Sequence, residues 1–314
     1  MLKVKIRNKH ETATDVCVLE LVPETGTSLP EFSAGAHIDV HLPGGLVRQY
    51  SLCNSPSERS RYMLGVLRDP NSRGGSQAVH SLQEGDVIYI SEPRNNFQLA
   101  QDQTRAVLIA GGIGITPLLC MAERILSAKG QFELHYCVRS DDKVAFRERL
   151  SRDDIASHVA FHIDGDPSTQ FQPEQELPEA DPGAHLYVCG PAGFIEWVLK
   201  SVEAKGWQAS NVHREYFSAS NVAVAENFPF EIELASTGEV ISVRSDQTAI
   251  EALLEHDVFI PTSCEQGVCG TCVTAVLDGV PDHRDVFMTD KEHAANDQFT
   301  PCCSRGKTRL VIDL

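Results

Sequence analysis

A chain of 314 residues with a formal net charge of −17 offers no basic face of the kind that nucleic-acid binding needs. Hydrophobic residues at 42% and charged residues at 23% are ordinary for globular domains, and no run approaches the ~20 apolar residues of a membrane span. Length predicts two or three domains. The N-terminal MLKVKIRNKH has no apolar stretch behind its charges, which predicts a cytoplasmic protein without a secretory leader. In that setting ten cysteines point to metal or reduced thiols rather than to a disulfide framework. The acidic balance leaves room for steering toward a basic partner protein.

The first hundred residues carry short alternating runs, HIDVHL (37–42), YMLGVL (62–67) and DVIYI (86–90). This predicts an antiparallel β-domain, a small barrel. RQYSLCN (48–54) sets a cation, an aromatic and a hydroxyl in one alternating strand, and RGGSQAVHSL (73–82) sets two glycines and a serine at a helix start. Together they could hold a flavin ring and its phosphate; taken singly they are equally a surface strand and a capped helix.

From about residue 103 the pattern becomes apolar strands alternating with helices: VLIAG (107–111), FELHYCV (132–138), VAFHID (159–164) and HLYVCG (185–190). Between and after them PLLCMAERILSAKG and PAGFIEWVLKSVEAKG have helical period, with Gly130 and Gly206 as expected stops. That alternation predicts a doubly wound α/β domain. GGIGITP (111–117) joins a strand to a helix, where a glycine turn can bring phosphate oxygens onto a helix N-terminus, although Pro117 stands where a third glycine would complete the dinucleotide fingerprint. Cys189-Gly190-Pro191 closes a later strand and opens another helix, so both turns are expected to line one crevice at the carboxyl ends of the strands.

NVAVAENFP (221–229) is read as a linker. Beyond it FEIELA and EVISVRS around Ser-Thr-Gly predict a hairpin, and TAIEALLEHD a helix. Then comes PTSCEQGVCGTC. Cys264, Cys269 and Cys272, with a cysteine some thirty positions on, have the spacing of plant-type 2Fe–2S centres. Structural zinc, the rival, usually takes two C-x2-C knuckles, and here one such pair is present. Gly267 and Gly270 are expected to permit a tight loop aiming backbone N–H groups at the sulfurs. Cys302 and Cys303 both qualify as fourth ligand by spacing; in an extended segment their side chains would point opposite ways, so one alone would face the cluster. Cys17, Cys53, Cys120, Cys137 and Cys189 are expected to be mostly small buried hydrophobes.

RQYSL, RGGS, GGIGITP, CGPAGF and CEQGVCGTC follow one another in one order, and with them the whole chain resembles the phthalate dioxygenase reductase family, in which the ferredoxin module comes last. The resemblance implies an FMN-binding β-barrel (1–102), an NAD-binding α/β domain (103–224) and a β-grasp 2Fe–2S ferredoxin domain (225–314). It implies that Arg48, Tyr50, Ser51 and Leu52 meet the flavin, with Arg48 toward the phosphate and Ser51 near N5. Arg73, Gly74, Gly75 and Ser76 would form the FMN phosphate loop. Gly112, Gly114 and Thr116, with Arg139 and Ser140 after the second strand, would hold NADH, with Cys189 and Gly190 beside the nicotinamide. Ser51, Cys189, Glu215 and Phe217 are the implied catalytic set, Phe217 stacking on the flavin. Cys302 becomes the fourth ligand and Cys303 the bystander. NADH over NADPH is the softer inference: in RSDDK, Asp141 and Asp142 would repel a 2′-phosphate, whereas Arg139 and Lys143 could attract one.

The implied activity is a change of electron count. NADH delivers two electrons as hydride to FMN N5, FMN passes them singly to the cluster, and the cluster, near about −400 mV, reduces a Rieske-type terminal oxygenase. Two other outcomes stay open at this stage: a reductase of similar build serving a non-Rieske acceptor, and a non-enzymatic iron–sulfur or zinc protein.

Overall fold

The computed structural model describes residues 1–26, 28–70, 72, 74–217 and 227–314, which pack as two compact units, Met1–Phe217 and Ser218–Leu314. In the first, β1 (Leu2–Ala13) and β2 (Val16–Pro23) form a long antiparallel pair, followed by β3 (His37–His41), β4 (Val47–Ser51), β5 (Tyr62–Leu67), α1 (Gly75–Ser81) and β6 (Val87–Ile90). Along β1, buried Val4 and Ile6 alternate with exposed Lys3, Lys5 and Arg7, the period-2 pattern of a strand with one wet face. The strand order is β4-β3-β6-β1-β2-β5, and an isolated bridge between Leu52 and Leu64 links the two outer strands. The sheet thereby curls into the half-closed barrel expected from the sequence, around Ile38, Val40, Leu19 and Leu64.

β7 (Arg105–Gly111), α2 (Ile115–Ser127), β8 (Gln131–Val138), α3 (Arg147–Leu150), β9 (Val159–Ile163), α4 (Pro173–Glu176), β10 (Ala184–Gly190), α5 (Ala192–Ala204) and β11 (Val212–Tyr216) make the second layer of this unit. All five strands are parallel in the order β11-β10-β7-β8-β9, so the winding reverses between β7 and β10. This is the doubly wound arrangement, and the reversal creates a crevice outside the carboxyl ends of those two strands. The α2 stop differs from expectation. Lys129 takes the left-handed conformation, at φ 57°, while Gly130 is needed because a Cβ there would meet Ile125 Cγ2 at 2.8 Å. Gly206, at φ 78°, is left-handed, as a glycine stop requires. One apolar cluster runs from Val16, Val18, Cys53 and Phe97 of the barrel segment into Leu118, Met121 and Tyr136, which makes barrel and nucleotide layer one packing unit.

The second unit contains β12 (Phe230–Leu234), β13 (Val240–Val243), α6 (Ala249–Glu255), β14 (Thr274–Asp278), β15 (Pro281–Asp282), α7 (Asp290–Ala295), β16 (Gln298–Phe299), β17 (Arg305–Gly306) and β18 (Leu310–Ile312). The expected hairpin is β12–β13, and its sheet runs β13-β12-β18-β14-β16 with β18 parallel to β12. Thr248 and Glu251 form a capping box that starts α6, and Thr289 with Glu292 repeats it at α7. Most of the proposed linker, residues 221–226, lies outside the described residues.

Candidate active site and metal centre

The cysteine loop lies between α6 and β14, and Cys264, Cys269, Cys272 and Cys302 are all buried. Their sulfurs converge. Hydrogen bonds from Cys269 and Cys302 draw Cys264 well below the usual thiol range and that from Cys302 draws Cys272 down, while the two donors are pushed up, so the four sulfurs act as one mutually bonded group. Backbone N–H groups of Gln266 and Thr271 point at Cys264 Sγ (3.3 Å) and Cys269 Sγ (3.4 Å). The glycines do two jobs. Gly267 and Gly270 have φ of 68° and 71°, and a Cβ would strike Cys303 Sγ at 2.5 Å in the first case and the Phe287 ring at 2.3 Å in the second. The segment after β15 backs the loop: the Val286 N–H donates to Gly267 O at 3.0 Å, and buried Asp285 accepts from the Met288 N–H at 2.8 Å.

Cys302 and Cys303 are separated for a different reason from the one the sequence suggested. They lie in a turn rather than an extended segment, and their sulfurs are hydrogen-bonded neighbours. Partners distinguish them. Cys302 reaches Cys264 and Cys272, whereas Cys303 Sγ lies 3.4 Å from Thr300 Oγ1. Cys17, Cys53, Cys120, Cys137 and Cys189 are buried and free, with their thiols pushed up by burial.

In the first unit, three side chains far apart in sequence meet. Ser51, the last residue of β4, donates from Oγ to Glu215 Oε2 at 3.3 Å, and Glu215 on β11 pairs in register with Cys189 on β10. Burial pushes Glu215 up to about 8, with the Ser51 hydrogen bond pulling the other way, so its carboxyl is largely protonated at neutral pH. Cys189 is held well above its ordinary range by burial and then by Glu215, and stays a thiol. The site therefore offers a hydroxyl, a carboxylic acid and a thiol without a fixed charge.

Both glycine turns lie at the reversal point. Gly114 touches the other turn so closely that a Cβ would stand 2.2 Å from Cys189 O, and one on Gly190 would be 3.0 Å from the Phe194 ring. Gly112, at φ 54°, has open space where its side chain would be, room for a ligand against the backbone. Thr116 is buried and donates to Ile113 O at 3.1 Å, which makes it a support of the turn. On the barrel side, Arg48 lies across the start of α1: a Cβ on Gly75 would be 2.6 Å from Arg48 Cγ, and Gly74 is left-handed at φ 88°. Ser76 Oγ accepts from the Asp69 N–H at 3.1 Å. Tyr50 is half-buried, Leu52 fully buried, and Phe217 remains 37% exposed. Arg73 lies outside the described residues.

After β8, Asp141, Asp142 and Lys143 of RSDDK have polar partners, most of them outside the stretch. Asp141 binds Arg147, Asp142 accepts from Ser140 Oγ at 2.6 Å, and Lys143 pairs with Asp15 at 2.7 Å. Arg139 is exposed and forms no ion pair among the described residues. Lys143 is thus committed elsewhere, and the two aspartates are partly neutralised.

A 2Fe-2S iron-sulfur cluster binding domain family matches residues 232–307, and an oxidoreductase NAD-binding domain family matches 108–200. The chain is 52% identical, over 100% of both chains, to a vanillate O-demethylase oxidoreductase of Pseudomonas sp. strain HR199. The solved structure of phthalate dioxygenase reductase, a modular protein for electron transfer from pyridine nucleotides to [2Fe-2S], superposes with a TM-score of 0.80 at 38% identity, covering 100% of this chain and 98% of that one. The chain belongs to the phthalate dioxygenase reductase family. A type IV self-sufficient cytochrome P450 monooxygenase superposes with a TM-score of 0.84 at 35% identity, covering 100% of this chain and 41% of that one.

The reductase's own residues fit the groups that its family implies. Four converging buried sulfurs suit a 2Fe–2S cluster, and a left-handed glycine turn beside a guanidinium suits a flavin phosphate. Sequence reasoning missed what buttresses these sites. Glu123, buried on α2, binds both Arg149 (2.8 Å) and Arg152 (3.2 Å), and Arg149 also donates to Cys53 O at 2.7 Å, just past the flavin strand. Arg305, buried three residues after Cys302, donates to the carbonyls of Gln247, Arg244 and Phe228 at 2.8, 2.8 and 3.1 Å. The sequence shows charged residues there, but a buried charge with distant partners has no local pattern to reveal it.

Proposed function

We propose that this reductase delivers electrons from NADH to a Rieske-type terminal oxygenase acting on an aromatic compound, by dioxygenation or O-demethylation. The observation that carries the proposal is the presence in one chain of the Ser51–Glu215–Cys189 cluster at the nucleotide crevice and of four converging cysteines, three from one loop and Cys302. When bound, FMN turns a two-electron hydride into single electrons and the 2Fe–2S cluster carries them one at a time. The three segments 1–102, 103–224 and 225–314 are the chemical modules, although the first two share a core.

The protein's share is placement and polarity. Arg48 with Gly74, Gly75 and Ser76 would hold the flavin phosphate, with Arg73 assigned to the same role from the sequence alone. Tyr50 and Phe217 would bracket the ring, and Leu52, fully buried, would back the strand behind it. Gly112, Gly114 and Thr116 shape the nucleotide turn, while Arg139 and Ser140, which directly follow β8, would meet the far end of the nucleotide. Gly190 lets the end of β10 pack against Gly111 and Phe194, and the nicotinamide would lie beside this turn. Ser51 would offer its hydroxyl to the flavin where hydride arrives, and Glu215, hydrogen-bonded to Ser51 and kept protonated by burial, would present no anion to the incoming hydride. Cys264, Cys269, Cys272 and Cys302 hold the cluster.

The test is reconstitution. NADH, the reductase and a purified vanillate-type Rieske oxygenase are combined and oxidised product is measured against oxygenase alone; turnover is expected, and failure with every Rieske oxygenase tried sinks the proposal. The likeness to the P450-fused chain favours one second reading, a haem acceptor, which the same assay with a P450 separates.

A further inference from the structure

Away from the hydride site, at the edge of the parallel sheet, three metal-ligating side chains converge on one point. His135 lies on β8, His162 on the edge strand β9, and Glu176 ends α4. His135 Nδ1 is 3.0 Å from His162 Nε2, and Glu176 Oε2 is 3.3 Å from His162 Nε2 and 3.7 Å from His135 Nδ1. Donors around a tetrahedral zinc with bonds of about 2.0–2.1 Å stand about 3.3–3.4 Å apart, and these separations bracket that value.

Proton accounting points the same way. His162 Nδ1 lies 2.9 Å from the Thr169 carbonyl, so it carries the ring proton, and a neutral His162 presents a bare lone pair at Nε2. Facing that lone pair are a carboxylate oxygen and a second imidazole nitrogen. One proton bridges two of the three atoms; a divalent cation serves all three. Outer contacts fix two of the three ligands: the Thr169 carbonyl orients His162, and the Gln172 N–H, donating to Glu176 Oε1 at 2.9 Å, turns Oε2 inward, while His135 Nε2 is buried without a partner among the described residues. Phe171 packs on both imidazoles, at 5.3 and 4.8 Å, and shields them from solvent.

We propose that His135, His162 and Glu176 form a zinc site that clips α4 to the β8–β9 edge, with water as the fourth ligand on the solvent side of Glu176. Two imidazoles and a carboxylate match zinc, whereas calcium and magnesium prefer all-oxygen sets. The site is separate from the hydride crevice, which opens at β7 and β10.

Full-length protein with flavin and cluster in place is treated with EDTA, desalted, given zinc, desalted again and assayed for zinc, iron and flavin. About one zinc per chain is expected, with a nitrogen/oxygen shell at about 2.0–2.1 Å in X-ray absorption. Glu176→Gln, on a partly exposed residue, should keep iron and flavin yet weaken zinc binding at least about tenfold, as should His162→Gln. No retained zinc, a sulfur shell at about 2.3 Å, or undiminished retention in Glu176→Gln would each overturn the site.

Discussion

The cysteine loop and the hydride site are assembled in opposite ways. Three of the four proposed cluster ligands fall within the nine positions Cys264–Cys272, so spacing in the chain nearly equals spacing in space. Ser51 and Glu215 are 164 positions apart, on strands of different sheets, and they become neighbours because a barrel and an α/β layer share one core. A compact loop tolerates little change at any residue, since each ligand and each left-handed glycine is part of one small structure. The dispersed site is held by its scaffold, and its side chains tune rates rather than create the centre.

That contrast can be broken by substitution. The largest effect is expected for Cys269→Ser, which should abolish the cluster absorption and drop electron delivery to an oxygenase to background, while NADH-driven reduction of a two-electron dye persists. Loss of dye reduction in folded, flavin-loaded protein would show that the two sites are not independent. Gly270→Ala comes next: a Cβ at φ 71° against the Phe287 ring should cost about 2 kcal/mol or more and lower iron content, read by thermal denaturation and metal analysis. Ser51→Ala leaves the scaffold intact and should slow flavin reduction by NADH about tenfold or more in stopped flow, with nucleotide affinity and iron content little changed. If it removed flavin altogether, the dispersed site would be as fragile as the loop.

The smallest effect concerns pH. Glu215 is raised from an ordinary carboxyl to about 8, so the folded chain keeps a proton that the unfolded chain has released. Its contribution to stability is full below the unfolded value and is lost as pH rises through about 8. Glu215→Gln should flatten that decline between about pH 4.5 and 8 in denaturant titrations and remove the same limb from the pH profile of flavin reduction.

Much of this was legible beforehand, and for identifiable reasons. Period-2 and helical patterning, with glycines at turns, marked the barrel strands, the α/β alternation and the hairpin. β1 escaped notice because its outward face is lysine and arginine, so its alternation looked like a charged tail. The capping box at Thr289 was a local signal that went unread. Glu123 with its two arginines, Arg305 with its three carbonyls, and the His135–His162–Glu176 cluster had no local signal, since each joins residues whose partners are decided by packing. The extended-strand argument for Cys302 failed because it assumed a conformation that the turn at Thr300–Ser304 replaces.

The sequence by itself determined the elements, the cysteine spacing and the order of the glycine turns, because strands, helices and tight loops are governed by neighbours within a few positions. Tertiary structure alone decided that Ser51, Cys189 and Glu215 share a site, that Glu215 holds its proton, and that Cys302 joins the other ligand sulfurs. Burial and long-range approach set protonation and partnership, and neither is written in any single stretch of chain.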